Sequence, residues 1–185
     1  DLARERAMGI EVVDHAVPIA DGLRLPVGDP ETLLPPPASA EEARWMYYSS
    51  GTTAAPKGVR HCDRSVIAGS AGVVGMVGAS SADVNPIAFP VTHIGGAAML
   101  AASLLTGMRL VLFDTFDPAR TPKAIADHGA TLLGSATPFF VAYLAAQREH
   151  GADPLFGNLR GCVGGGAPIT AELGRQVRET LSVPG

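Results

Sequence analysis

At 185 residues, with 46% hydrophobic and 17% charged side chains, the sequence is that of a folded globular chain with a sizeable core, which excludes intrinsic disorder. A formal net charge of −4 leaves no basic footprint for nucleic acid. The two cysteines, Cys62 and Cys162, lack the paired spacing of a zinc site and are too few for a disulfide framework, so reduced thiols in a cytoplasmic protein are expected. The longest apolar stretches, 66–79 and 94–105, are shorter than the roughly 20 residues of a membrane span and rich in Gly, Ala and Ser, so no transmembrane segment is expected. Asp1-Leu2-Ala3-Arg4 and Ser182-Val183-Pro184-Gly185 read as cuts through a larger protein.

In chain order, a charged helix-like start precedes a strand-like run at 10–13. Pro35, Pro36 and Pro37 then make a surface connector, because proline lacks an amide donor and fixes φ. Residues 1–40 are read as an upstream segment of the same domain that continues through 41–185. Residues 44–48 are aromatic and strand-like, with Trp45 expected in the core, and 64–77 is a glycine-rich helix candidate. A strand at 84–89, a helix at 95–105 and a buried strand at 109–113 follow. Asp117-Pro118 and Thr137-Pro138 each predict a helix start, with Gly129 and Gly151 as the stops. Strands are predicted at 131–134 and 159–163, and a last helix at 170–181. Strands separated by helices imply an α/β fold, a mainly parallel sheet with helices on both faces. Ligands then gather outside the carboxyl ends of the strands, where the loops after Tyr48, Phe89 and Val163 are unusual.

The strongest signal is Tyr47-Tyr48-Ser49-Ser50-Gly51-Thr52-Thr53-Ala54-Ala55-Pro56-Lys57-Gly58-Val59. A strand runs into hydroxyl-bearing residues and glycine, small enough for backbone amides to approach an anion closely. Ser49, Ser50, Thr52 and Thr53 add hydroxyl donors, and Lys57 adds a mobile positive charge for phosphate oxygens. It is not a P-loop of the usual order, because Lys57 follows Pro56 and precedes Gly58.

This string resembles the phosphate-binding signature of the adenylate-forming superfamily, which includes acyl- and aryl-CoA ligases, luciferases and peptide-synthetase adenylation domains. The resemblance implies that Ser49, Ser50, Gly51, Thr52, Thr53 and Lys57 grip the β- and γ-phosphates of ATP. It implies that 41–185 is part of a large AMP-binding α/β domain. In the superfamily's acyl-CoA synthetase branch, a carboxylic acid attacks the α-phosphorus of Mg-ATP, and coenzyme A then takes the acyl group. A fatty, alicyclic or aryl acid, ATP, Mg2+ and coenzyme A are therefore the expected small-molecule partners. Two departures stand out: Ala54 replaces the usual Gly or Ser, and Asp63 replaces a frequent His. Asp63 is expected to cap the helix that follows.

Two further loops take their roles from the same resemblance. In Phe89-Pro90-Val91-Thr92-His93-Ile94-Gly95-Gly96, a lone histidine serves structure as readily as function. The resemblance assigns His93 to the acyl pocket, facing the reacting carboxylate. No acidic residue lies between Phe89 and Leu105, so an amino-acid substrate would lack a counter-ion for its ammonium group. In Val163-Gly164-Gly165-Gly166-Ala167-Pro168, bare backbone lets a flat ligand approach, or simply turns the chain into a helix. The resemblance places Gly165, Gly166, Ala167 and Pro168 along adenine. No metal ligand is assigned in this stretch of sequence: His15, His61, His128 and His150 have no partners at ligand spacing. The family's magnesium-binding glutamate and late lysine are expected downstream, so the 185 residues are expected to be inactive alone. A non-catalytic nucleotide- or acyl-binding relative and an amino-acid-activating domain are the alternatives.

Overall fold

The computed structural model describes residues 38–49 and 57–181, with Ser49 described by its backbone alone. The strand expected at 10–13 and the prolines at 35–37 lie outside those residues.

Strands β1 (Ala43–Ser49) and β2 (Lys57–Cys62) form an antiparallel hairpin in which Tyr47 stands opposite Val59 and Ser49 opposite Lys57. The sequence pattern predicts β1 but not β2. Lys57-Gly58-Val59-Arg60-His61-Cys62 has no clean alternation, and pairing with β1 makes it a strand. Trp45 is 39% exposed rather than in the core, because its indole N–H donates to the Asp63 carboxylate at 2.7 Å. Arg44 donates to the other Asp63 oxygen at 3.3 Å. Asp63 therefore opens helix α1 (Asp63–Val77) without capping it, and the N-cap position belongs to Cys62, which makes no side-chain cap bond.

Four parallel strands follow. β3 (Val84–Ile87) pairs with β4 (Arg109–Leu112), and β5 (Leu132–Ser135) pairs with β6 (Gly161–Gly164). The two pairs meet at Thr131, whose N–H donates to Val84 O at 3.0 Å and whose Oγ1 accepts from Val84 N–H at 2.9 Å. β3 lies next to β5, so the two two-stranded sheets stand in the order β4, β3, β5, β6. Each parallel step needs a crossover, supplied by α2 (Ile94–Thr106), α3 (Thr121–Asp127) and α4 (Thr137–His150), and α5 (Ala171–Thr180) follows β6. Successive residues of a strand point to opposite faces, and Leu132 and Leu133 use both. Leu132 packs with Ala102, Met108 and Val74 under α1 and α2. Leu133 packs with Ile125, Phe140, Tyr143 and Leu173 under α3, α4 and α5. Full burial of Leu133 alone stabilises the fold by about 1.5–3 kcal/mol.

Helix ends follow local chemistry. α1 and α2 stop at Gly78 (φ 57°) and Gly107 (φ 74°), a left-handed conformation that glycine adopts without steric cost. α3 begins at Thr121, later than Asp117-Pro118 predicts. Asp117 instead organises a turn, its Oδ1 accepting from Ala119 N–H at 2.9 Å and its N–H donating to Thr121 Oγ1 at 2.9 Å. Thr137 is the first residue of α4, not its cap, and its hydroxyl donates to Pro168 O at 2.8 Å. Thr170 caps α5, its side chain accepting from Leu173 N–H at 3.1 Å.

The amino ends of the strands are tied by one ion pair. Arg160, just before β6, donates through Nε to Asp83 Oδ1 at 2.6 Å and through Nη2 to Asp83 Oδ2 at 2.5 Å. It also donates to Val77 O at 2.7 Å and Gly78 O at 3.1 Å, the carbonyls at the end of α1. The Arg160 guanidinium, with Ser80 N–H and the Thr131 hydroxyl, holds the buried Asp83 carboxyl well below the usual carboxylate range.

Candidate functional site

The opposite, carboxyl ends of the strands carry the loops that the sequence marks as functional. After β3, His93 N–H donates to Pro90 O at 3.0 Å and closes a turn. His93 is the N-cap of α2, with Nδ1 accepting from Gly95 N–H at 3.1 Å. A ring nitrogen that accepts an N–H carries no proton, so the neutral imidazole bears its proton on Nε2, away from the cap. Gly96 sits so close to the turn that an added Cβ would lie 2.4 Å from Val91 Cα. The short turn, the cap and the missing side chain at Gly96 together fix where the imidazole stands.

After β6, Gly165 N–H donates to Ser135 O at 3.2 Å, and Thr137 binds Pro168 O, so the glycine loop is stitched to the carboxyl end of β5. Added Cβ atoms at Gly165 and Gly166 would meet no heavy atom within 4 Å, so their backbone faces open space. Gly165, Gly166, Ala167 and Pro168 are all exposed. Cys162, on β6 behind this loop, is enclosed enough that burial pushes its thiol up to about 12, which makes it unreactive.

These two loops border one cavity of about 520 Å³ between the sheet and the helices α1 and α2. Its walls are largely apolar, with Val74, Met99, Ala102 and Leu132 among them, and among the described residues they hold no Asp, Glu, Lys or Arg. His93 lines this cavity and also a second one of about 370 Å³, whose other walls include Tyr47, Tyr48, Val59 and His61 of the hairpin. The imidazole therefore stands between an apolar chamber and the hairpin that carries Lys57.

Lys57 is exposed at the first position of β2, directly opposite Ser49 in the register. The hairpin thus brings the two ends of the hydroxyl-rich loop side by side. Ser50, Gly51, Thr52 and Thr53 lie outside the described residues, as does Ala54.

The sequence pattern passes over two polar residues of the larger cavity. Ser135 ends β5 with φ 113°, the one non-glycine residue with positive φ among the described residues. Asn85 lies within β3. The available signals were a hydroxyl between a strand and a proline-started helix, and a lone polar residue in the run Val-Asn-Pro-Ile.

The family described as AMP-binding enzyme matches residues 4–184. A 2-succinylbenzoate–CoA ligase of Enterococcus faecalis is 27% identical over 143 residues, covering 77% of this chain and 29% of the relative. One from Bacillus cereus is 30% identical over 135 residues, covering 73% and 27%. Among solved structures, the O-succinylbenzoate coenzyme A synthetase from Bacillus subtilis, in complex with ATP and magnesium ion, superposes with a TM-score of 0.66 at 25% identity, covering 77% of this chain and 29% of that one. The chain spans less than a third of the length of the curated relatives it matches.

Proposed function

We propose a function from this premise: the chain belongs to the AMP-binding enzyme family. The full-length protein that carries it activates a carboxylic acid with ATP, forming an acyl-adenylate and pyrophosphate, and passes the acyl group to coenzyme A as a thioester. The relatives named above are CoA ligases, and that supports the reaction class. The observation that carries the reading is the position of His93, shared by the apolar cavity and the hollow beside the hairpin. A reacting carboxylate at that junction would have its tail in the cavity and the triphosphate toward Lys57.

In this proposal Lys57 and the loop from Ser49 to Thr53 bind the β- and γ-phosphates, so charge leaving with pyrophosphate is neutralised as it develops. Bare backbone at Gly165 and Gly166, continued by Ala167 and Pro168, borders the adenine. His93 Nε2–H donates to the carboxylate or to the oxygens around the α-phosphorus and orients the attack. In this proposal magnesium enters as the counter-ion of the triphosphate. Among the described residues the cavity wall carries no acidic side chain, which argues against an α-amino acid, whose ammonium would be buried unpaired. We also propose a cytoplasmic location, and that these 185 residues do not turn over by themselves.

The test is pyrophosphate release by the full-length protein with ATP and a panel of fatty, alicyclic and aryl acids. Acid-dependent release is expected, and Lys57→Ala should lower kcat/KM by about 100-fold or more. ATP binding without release across the whole panel would replace this reading with that of a non-catalytic relative.

A further inference from the structure

Asn85 is 6% exposed, and its Nδ2 is the only buried side-chain nitrogen or oxygen among the described residues with no hydrogen-bond partner. Native proteins pair almost all such groups, so an orphan calls for a ligand or another reason to exist. The register of β3 with β4 places Asn85 opposite Leu110, on the face covered by α1 and α2. There Asn85 forms part of the wall of the apolar cavity, beside Leu132 and Met108. Among the described residues no hydrogen bond uses this amide, and the ladder bonds of β3 are made by backbone. A leucine of similar size would pack there with no polar group to satisfy.

We propose that Asn85 is a specificity residue whose amide, held by no hydrogen bond among the described residues, turns about χ2 to donate from Nδ2 to an uncharged acceptor oxygen on the tail of the activated acid. This rests on the reading of the cavity as the acyl chamber. The acceptor is a ketone, amide, ether or hydroxyl oxygen rather than a second carboxylate, because no Lys or Arg among the described residues lines the cavity. Asn85 precedes Phe89, at the start of the His93 turn, by roughly 13 Å of strand. The acceptor therefore lies out along the tail, well away from the carboxylate that His93 faces. A purely aliphatic tail would leave the amide unpaired and bind less well.

The experiment uses the full-length protein and pairs of acids of equal length, one with an oxo or hydroxyl group on the outer half of the tail and one with methylene there. The readout is kcat/KM for acid-dependent pyrophosphate release. Wild type should prefer the oxygen-bearing acid of at least one pair by about 10-fold or more, since sites built to hydrogen-bond a group reject analogues that lack it. Asn85→Leu should abolish or invert that preference and raise kcat/KM for the methylene acid, which a merely structural asparagine would not do. Equal use of both acids by wild type across all pairs, or a preference unchanged in Asn85→Leu, overturns the proposal while leaving acid activation standing. No release with any acid removes the activation reading, and the proposal with it. Should Asn85→Leu fail to fold, the wild-type preference decides by itself.

Discussion

The proposed function gives His93 two jobs that can be separated, since Nδ1 caps α2 and Nε2–H would serve the carboxylate. Asparagine is a good N-cap and alanine is not, with a difference of about 1 kcal/mol. His93→Asn should therefore keep most of the stability that His93→Ala loses, as read by urea unfolding. Both should lose acid-dependent pyrophosphate release alike, by about 100-fold, because neither carries the imidazole donor. Recovery of activity in His93→Asn would reduce His93 to a cap. Ser135 poses a different question, because its φ of 113° is one that side chains rarely adopt. Such strain costs about 1–3 kcal/mol and tends to lie at working sites. Glycine relieves it but adds about 0.5–1 kcal/mol of chain entropy to be lost on folding. Ser135→Gly is thus expected to gain about 1 kcal/mol, and Ser135→Val to lose stability in the same assay. A loss on Ser135→Gly would mean that its side chain contributes more than the backbone strain costs.

At the scale of elements, α2 and the turn before it behave as one piece, because Gly96 lies against the backbone of Val91. Backbone cannot swing aside as a side chain can, so Gly96→Ala should lose about 1–3 kcal/mol through overpacking and displace His93. Gly95→Ala is the control: its added Cβ would meet only side chains, the His93 ring at 3.2 Å from Nδ1 and the Phe89 ring at 3.6 Å, and should cost less stability. Equal losses in the two variants would argue against the backbone contact. The helices were legible in the sequence because prolines and glycines punctuate them locally, as Pro138 and Gly151 do for α4. Strand β2 was not, because Lys57–Cys62 becomes a strand only through pairing with β1. Trp45 and Asp63 were misassigned for the same reason, since their bond joins residues 18 apart in sequence. The loops after β3 and β6 could be singled out by composition. Their convergence with Asn85 and Ser135 on one cavity depends on strand order, and local sequence does not encode that.

Across the whole α/β unit, the two ends of the parallel strands divide the labour. The carboxyl ends hold His93, Ser135 and the glycine loop, and the amino ends are fastened by Asp83 and Arg160. Asp83 is 2% exposed, so removing its partner strands a buried charge. Arg160→Met should cost about 3 kcal/mol near neutral pH, toward the low end for breaking a buried pair, because Ser80 N–H and the Thr131 hydroxyl still bind the carboxylate. The pH dependence gives the sign. With Asp83 depressed below its unfolded value, the wild type has this stabilisation in full above about pH 4 and loses it as the pH falls further. In Arg160→Met the carboxyl has lost the interaction that depressed it most, so protonation relieves the variant first. The gap between the two unfolding free energies should therefore narrow as the pH falls from about 4 to about 2. A gap that stays constant over that range would show that Arg160 acts through its bonds to Val77 and Gly78, holding the end of α1, and not through the charge of Asp83.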